Sequence, residues 1–376
     1  MNYLILSSEW CDGCDSVALS IAEAAEKAGV NAIVADPTVF SSGDVKLYRK
    51  LLRKTPGSRT VRRYANKLYD RTSLSDHGIF ASSSSQFFSN LNEYIKSDGF
   101  DAVIIVGLEL INRLTESERE ICVPIYAVIS EYACPSMKGL TRYDALFAPN
   151  EFIRNELVFK GFGESRITVS GVPVPPRFSD QMGKAAARNY LFVPQKKRIY
   201  LIHCHGLSTG NVEDLCDGLL RDEGGDFSVW LLVGRDGDKR DNLLTYYAGN
   251  PAVQVITYTE KVNVYMEAAD VMLSKSVGII CAEGALSSVP MVNVSPVTGR
   301  DRNADFLSSR EIAVKATGVR EAVRKARQLC ENAVMSGRMK MIQRNNCPRC
   351  GADTVIRTIT ERLSSEPSKN ERALTE

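Results

Sequence analysis

The stretch Ser274-Lys-Ser-Val-Gly-Ile-Ile-Cys-Ala-Glu-Gly-Ala285 decides the predicted fold of the C-terminal half. It is followed by Pro290-Met-Val-Asn-Val294 and by Gly299-Arg-Asp-Arg-Asn-Ala-Asp-Phe306. A strand that ends at Leu273, a turn of small residues and a helix that opens near Ile279 would direct backbone N–H groups at an anion. Glu283, about one turn into that helix, would accept hydrogen bonds from ribose hydroxyls. The pattern predicts a site for a nucleotide diphosphate.

Strand-length apolar runs alternate with helical patterns on both sides of a proline-rich segment at residues 171–178. The runs before it are Tyr3–Leu6, Asn31–Val34, Ala102–Val106 and Ile125–Ile129, with a helical pattern at Val17–Ala28; those after it are Ile199–Ile202, Val229–Val233, Val253–Ile256, Val271–Leu273 and Met291–Val294. This alternation predicts an α/β protein with two Rossmann-like domains facing a central cleft.

The predicted N-terminal domain comprises residues 1–170, and the predicted C-terminal domain, which contains the nucleotide-diphosphate motif, comprises residues 171–345. A helix at residues 346–363 is expected to return to the N-terminal domain. Residues 364–376, rich in Ser, Glu, Lys and Pro, are expected to form a disordered tail.

The motifs resemble the family of monogalactosyldiacylglycerol synthases and bacterial diacylglycerol glucosyltransferases, which are GT-B enzymes of a family 28-like kind. The family pattern reads roughly S/T-K-P-G-G-x-T-x-x-E-A and then P-x-x-P-G-Q-E-x-x-N-A-x-F. Further matching stretches are Ser170-Gly-Val-Pro-Val-Pro-Pro-Arg-Phe178, Val233-Gly-Arg235 and Tyr265-Met-Glu-Ala-Ala-Asp-Val-Met-Leu273. The resemblance extends through about Leu363.

The resemblance implies transfer of a hexose from a UDP-sugar to diacylglycerol or a similar lipid, without a cofactor or a bound metal. Four residues would hold the nucleotide diphosphate, namely Ser274, Lys275, Gly278 and Glu283. Arg300, Asp301 and Asn303 would face the sugar. Asn303 and Asp305 also fit the alternative that they cap a helix N-terminus.

The acceptor half departs from the family at each of its three histidines. Cys11-Asp-Gly-Cys14 stands where the family has G-x-G-H, and Ser130-Glu-Tyr-Ala-Cys-Pro135 stands in a later histidine loop. Glu131 is therefore the candidate general base, and Cys14 is the second catalytic candidate. The alternative for Glu131 is a solvated loop carboxylate. His203 and His205 would line the cleft or serve a structural role.

The donor half departs from the family at Arg300-Asp301, which replaces Gln-Glu. An arginine that faces the sugar would pair with a carboxylate and favour UDP-glucuronate over a neutral hexose donor. The alternatives are that Arg300 reaches a phosphate or that selection on the sugar site has relaxed.

Residues 46–71 are basic and aromatic, with Asp70 as the single acidic residue. Such a segment is expected to lie on an anionic membrane, with an ordinary solvated helix as the alternative. The residues expected to bind the membrane are Arg49, Lys50, Arg53, Lys54, Arg62, Arg63 and Tyr64.

The ten cysteines are expected to be reduced thiols. Trp10-Cys-Asp-Gly-Cys14 also matches a thioredoxin-type dithiol, and Cys347-Pro-Arg-Cys350 is a zinc-ribbon type knuckle. We expect these cysteines to be unliganded and therefore expect no metal. The alternative is a zinc site formed by Cys11, Cys14, Cys347 and Cys350.

A net charge of +2 gives no general reason to expect nucleic acid as a partner. No stretch approaches the ~20 apolar residues of a membrane span, and the N-terminus lacks the features of a secretory signal. The expected location is cytoplasmic and peripheral, on the inner face of the cell membrane. The leading hypothesis is a glycosyltransferase; the alternative is a catalytically impaired paralogue that binds nucleotide or lipid as a regulatory partner.

Overall fold

The computed structural model describes residues 1–7, 13–40, 85–107, 110–111, 121–133, 143–221, 226–295 and 301–365. The chain divides into two compact units, of which the first comprises residues 1–176 and 350–376 and the second comprises residues 177–349. The predicted boundary lies after residue 170.

The described strands form two sheets in which every pairing is parallel. In chain order they are β1 (Asn2–Leu6), β2 (Asn31–Ala35), β3 (Ala102–Val106), β4 (Ile125–Val128), β5 (Ala145–Ala148), β6 (Ile167–Val169), β7 (Arg198–His203), β8 (Phe227–Gly234), β9 (Val253–Thr257), β10 (Val271–Ser274), β11 (Met291–Ser295) and β12 (Val314–Thr317).

The described α-helices connect and cover these strands. In chain order they are α1 (Cys14–Lys27), α2 (Ser85–Asp98), α3 (Glu151–Phe159), α4 (Lys184–Tyr190), α5 (Thr209–Leu220), α6 (Gly237–Tyr246), α7 (Val262–Ala268), α8 (Gly278–Leu286), α9 (Arg302–Ser309), α10 (Val319–Glu331), α11 (Ala333–Asn346) and α12 (Gly351–Ser365).

The sheet of the first unit has the strand order β2-β1-β3-β4-β5-β6. Its central strands are buried on both faces, as parallel strands covered by helices are. The C-terminal helix α12 completes this unit, since Tyr3 Oη and Thr360 Oγ1 are 2.9 Å apart and Arg362 Nη2 donates to Ser165 O at 2.8 Å.

The sheet of the second unit has the strand order β12-β11-β10-β7-β8-β9. The chain runs outward from β7 to β9 in one direction and from β10 to β12 in the other. The strand order therefore reverses between β7 and β10, where open α/β sheets bind ligands beyond the carboxyl ends of their strands. Ser274, the last residue of β10, pairs with His203 of β7 and with Asn293 of β11.

The predicted α/β architecture with two parallel-sheet units is confirmed, with differences in detail. The predicted helix Val17–Ala28 begins earlier, at Cys14, because Gly13 adopts φ 85° and turns the chain into it. The predicted helix at residues 346–363 spans Gly351–Ser365, so its last two residues are helical where a tail was predicted. No helix among the described residues is long and apolar enough to cross a bilayer.

Candidate functional site

The loop after β10 and the start of α8 form the centre of the candidate site. Val277 precedes α8 with extended backbone angles and makes no side-chain capping hydrogen bond. The first N–H groups of an α-helix have no partner within the helix and carry its partial positive charge. This end of α8 therefore suits an anion such as a diphosphate.

Asp301 holds the loop at residues 275–277 against two neighbouring elements. Its carboxylate accepts hydrogen bonds from Ser276 Oγ at 2.6 Å and from Ser295 Oγ at 2.8 Å. As the N-cap of α9 it also accepts the Ala304 N–H at 3.0 Å. Asn303 Nδ2 donates to Ser276 O at 2.9 Å. Both residues, predicted to face the sugar, thus contact the loop itself.

Ser274 and Lys275 occupy different environments although they are adjacent. Ser274 is fully buried, and its Oγ accepts a 3.4 Å hydrogen bond from Asn293 Nδ2. Lys275 extends across Gly206, in the loop after β7, where an added Cβ would lie 2.7 Å from Lys275 Cδ. Gly206 also has φ +73°, so glycine meets both a steric and a backbone requirement there.

Glu283 lies in the second turn of α8 and is half-buried. Burial raises the pKa of its carboxyl to about 7, and the positive charge of Arg177 partly offsets that rise. Folding therefore favours the protonated form, and the stability linked to Glu283 is lost as pH rises through about 7. When the Glu283 carboxyl group ionises, both of its oxygens can accept hydrogen bonds.

Arg177 was not predicted as a site residue, and His203 was predicted only to line the cleft or to serve a structural role; both belong to this part of the second unit. His203 ends β7 beside Ser274, and its Nδ1 is buried with no hydrogen-bond partner in the described structure. Burial, with a further contribution from His205, lowers the pKa of His203 to about 3, so the imidazole is neutral. Only the position of His203 at a strand end signals it in the sequence.

Curated relatives and solved structures agree on what this arrangement resembles. No family model matches the chain. The processive diacylglycerol beta-glucosyltransferase of Bacillus thuringiensis is 22% identical over 376 residues, which cover 97% of this chain and 95% of that protein. Its Bacillus subtilis counterpart is 23% identical over 222 residues, or 58% of this chain and 57% of that protein.

Among solved structures, MurG of Acinetobacter baumannii matches with a TM-score of 0.63 and 14% identity, covering 96% of this chain and 99% of that one. The chain has the GT-B fold, and its sequence is similar to those of the Bacillus glucosyltransferases at 22–23% identity. MnaA of Staphylococcus aureus, solved with UDP, matches with a TM-score of 0.62 at 13% identity over 98% of this chain and 99% of that one. HepE of Anabaena, solved with UDP and glucose, has a TM-score of 0.55 at 14% identity, covering 97% of this chain and 100% of that one.

In the first unit, the two predicted catalytic residues follow the carboxyl ends of β1 and β4. Cys14 begins α1 and is buried, with its Sγ 3.6 Å from Ser130 Oγ. Glu131 follows Ser130 directly and is half-buried. The fold thus brings the Cys14 and Ser130–Glu131 positions together, although they are far apart in sequence.

Cys14 is disulfide-bonded, so the prediction of reduced thiols is wrong for this residue. A disulfide sulfur carries no titratable proton and is not a thiolate ligand, so Cys14 in this form neither transfers a proton nor binds zinc. Seven other cysteines among the described residues form no disulfide. One of them, Cys347, is buried, which raises its pKa to about 12 and disfavours the thiolate that zinc requires.

Several predicted site residues lie outside the described residues. They are Arg300, Cys11 and the membrane-binding set of Arg49, Lys50, Arg53, Lys54, Arg62, Arg63 and Tyr64. Among the residues that are described, no group of three or more His, Cys, Asp or Glu side chains is arranged to hold a metal ion.

Proposed function

We propose that the protein transfers a hexose from a UDP-sugar to diacylglycerol or a similar lipid. The observation that carries the donor half of the proposal is the start of α8, where N–H groups without a side-chain cap precede Glu283 by about one turn. The names of the Bacillus relatives support the lipid acceptor. The basic segment at residues 46–71 supports a reaction at an anionic membrane surface on the cytoplasmic side.

In the proposed mechanism the acceptor hydroxyl attacks the anomeric carbon, and the bond from that carbon to the diphosphate breaks. The electron pair leaves with UDP, whose developing charge is stabilised by the N–H groups at the start of α8 and by Lys275. Gly278 lets the diphosphate approach the backbone closely, and the Glu283 carboxylate accepts hydrogen bonds from the ribose hydroxyls. Glu131 takes the proton of the acceptor hydroxyl.

The residues proposed to face the sugar have separate parts in this mechanism. Asn303 and Asp301 shape the loop that contacts the diphosphate, through their bonds to Ser276. Arg300 is proposed to contact the sugar, and a carboxylated hexose such as glucuronate would pair with its guanidinium. In this proposal Arg300, rather than the loop at residues 275–277, determines which donor sugar is preferred.

The direct test is turnover with diacylglycerol in anionic vesicles and a panel of UDP-glucose, UDP-galactose and UDP-glucuronate, followed by UDP release and glycolipid mass. We expect one donor to give product. Glu283→Gln should lower kcat/KM by roughly 10–100-fold, the value of hydrogen bonds to a charged acceptor. Glu26→Gln, an exposed change on α1, is the matched control and should retain full activity.

A second candidate function is binding of nucleotide or lipid without catalysis. It is favoured by the disulfide at Cys14, which occupies the position of the family's catalytic histidine. UDP binding that Glu283→Gln weakens, with no glycolipid from any donor, would select this candidate. Product formation that Glu131→Gln abolishes would reject it.

The affinity for UDP-glucose is expected to depend on pH through Glu283. Its pKa is about 7, and only the ionised carboxylate accepts both ribose hydroxyls, so affinity should fall by up to about tenfold per pH unit below 7. The ester-linked diphosphate of UDP-glucose keeps its charge in this range, which makes calorimetric titration at several pH values interpretable. Glu283→Gln should bind more weakly and without that slope; an equal slope in the variant would assign the titration to another group.

A further inference from the structure

A solvent-open pocket of about 830 Å³ lies along α10 and the start of α11 in the second unit. Three of its lining residues are Arg320, Arg324 and Arg327. Their spacing of four and then three residues aligns them along one face of α10. No residue of the proposed nucleotide site lines this pocket, so it is a separate feature of the molecule.

The three guanidinium groups retain hydrogen-bonding capacity. Arg320 is exposed and has no hydrogen bond or ion pair within the described structure. Arg324 is exposed, and its Nη2 is 3.8 Å from Glu321 Oε1, too far for a hydrogen bond. Arg327 Nη2 donates to Gly218 O at 2.9 Å, whereas its Nε is buried with no partner in the described residues. Arg320 and Arg324 therefore have accessible N–H donors to offer a ligand, whereas the Nε of Arg327 is buried.

The charge of the pocket is positive, since its lining contains these three arginines and one acidic residue, Glu331. Glu331 is largely exposed, and its Oε1 lies 4.0 Å from Arg198 Nη1, whose positive charge offsets the charge of the carboxylate. The other end of the pocket is lined by Ala333 and Val334 of α11 and by the last turn of α10, so opposite ends of two helices meet there and the arginines supply the positive charge. Guanidinium groups match the geometry of phosphate oxygens, and the volume is that of a small-molecule site.

We propose that this pocket binds a small phosphate-bearing anion with at least two negative charges. The ligand is a free molecule rather than a lipid headgroup, because Val334 is the single large apolar side chain exposed at its lining and gives too little area to enter a membrane. The site is independent of the proposed glycosyl transfer, since it shares no residue with that site.

The test uses the full chain and inorganic pyrophosphate as the probe. In calorimetry we expect Arg320→Gln combined with Arg324→Gln to weaken a pyrophosphate-binding event by about tenfold or more. Both residues are exposed, so the fold should persist. Arg357→Gln removes an exposed arginine from α12 of the first unit and should leave this event unchanged. Equal affinity in all three proteins would overturn the proposal.

A local measurement separates this pocket from the proposed nucleotide site, which pyrophosphate would also enter. Phenylglyoxal modifies accessible arginines, and peptide mass spectrometry reports each one. Pyrophosphate should protect Arg320 and Arg324 from modification while Arg357 stays reactive. Binding without that protection would overturn the proposal, as would protection that appears only with phosphatidylglycerol vesicles and not with free pyrophosphate.

Discussion

Arg188→Met is expected to destabilise the second unit by about 3 kcal/mol, the usual cost of breaking a buried ion pair. Arg188 is 2% exposed, and its Nη2 donates to Asp270 Oδ2 at 2.7 Å. Its Nε donates to Ala268 O at 2.9 Å. Asp270 Oδ2 also accepts the Ile199 N–H at 2.7 Å. The substitution removes the buried positive charge beside Asp270 and the side-chain donor to Ala268 O, and it leaves Asp270 Oδ2 with the Ile199 N–H.

This interaction concerns the proposed function because it holds the amino-terminal ends of β7 and β10 together. Asp270 immediately precedes β10, and Ile199 lies in β7, the two strands whose carboxyl ends flank the candidate nucleotide site. Weaker contact between the amino-terminal ends of β7 and β10 should destabilise the strand pairing that places Ser274 beside His203. A loss of donor affinity is therefore expected together with the loss of stability.

The measurement is urea unfolding followed by the fluorescence of Trp230, in a Trp10→Phe background so that the signal comes from the second unit alone. The matched control is Lys184→Met, which also removes a partner of Asp270 but from a side chain that is 35% exposed. An exposed pair contributes little, so the control should cost less than about 1 kcal/mol. Similar losses in the two variants would contradict the assignment of Arg188 as the main partner.

The sequence predicted most of the fold because buried parallel strands leave continuous apolar runs. The strand β10 and the opening of α8 were predicted within a residue of where they lie, since three apolar residues and a small-residue turn define them. Three strands were missed. β6 has only three residues and β12 includes Lys315, so neither presents the apolar run that signals a strand. β5 is an apolar run of four residues, and it was overlooked rather than hidden.

The contacts of the candidate site were less predictable, because they depend on pairs that only the folded chain brings together. Gly206 follows β7 in sequence, but its need for glycine arises from the side chain of Lys275 across the sheet. Burial raises the pKa of Glu283 and Arg177 partly offsets that rise, and the sequence spacing indicates neither effect. The disulfide at Cys14 was missed because composition indicated reduced thiols.

The predicted role of Asp301 differs from the contacts that its side chain makes in the structure. The motif predicts a side chain that faces the sugar, and the structure engages its carboxylate with Ser276, Ser295 and the Ala304 N–H. One carboxylate thus joins the loop after β10, the end of β11 and the start of α9. We infer that Asp301 is a positioning residue for the loop at residues 275–277, which contacts the diphosphate in the proposed mechanism.

Asp301→Ala is accordingly expected to lower both stability and donor affinity. The loss of an N-cap costs about 1 kcal/mol, and hydrogen bonds from two hydroxyls to a charged group bring the total to roughly 3 kcal/mol. Because Ser276 loses its partner, the loop should become mobile and UDP-glucose should bind about tenfold or more weakly. Urea unfolding and calorimetric titration measure the two effects separately.

The matched control is Asn332→Ala, which removes the N-cap of α11 in the same unit, where Asn332 Oδ1 accepts the Met335 N–H at 3.0 Å. That cap has no link to the loop after β10, so the variant should lose about 1 kcal/mol of stability and keep its affinity for UDP-glucose. Asp301→Asn keeps one carbonyl oxygen for Ala304 N–H and should fall between Asp301→Ala and the unsubstituted protein in both measurements. If Asp301→Ala behaved like Asn332→Ala, with a cap-sized loss and unchanged affinity, Asp301 would be a helix cap alone, and the loop would owe its conformation to Asn303 and the packing of α8.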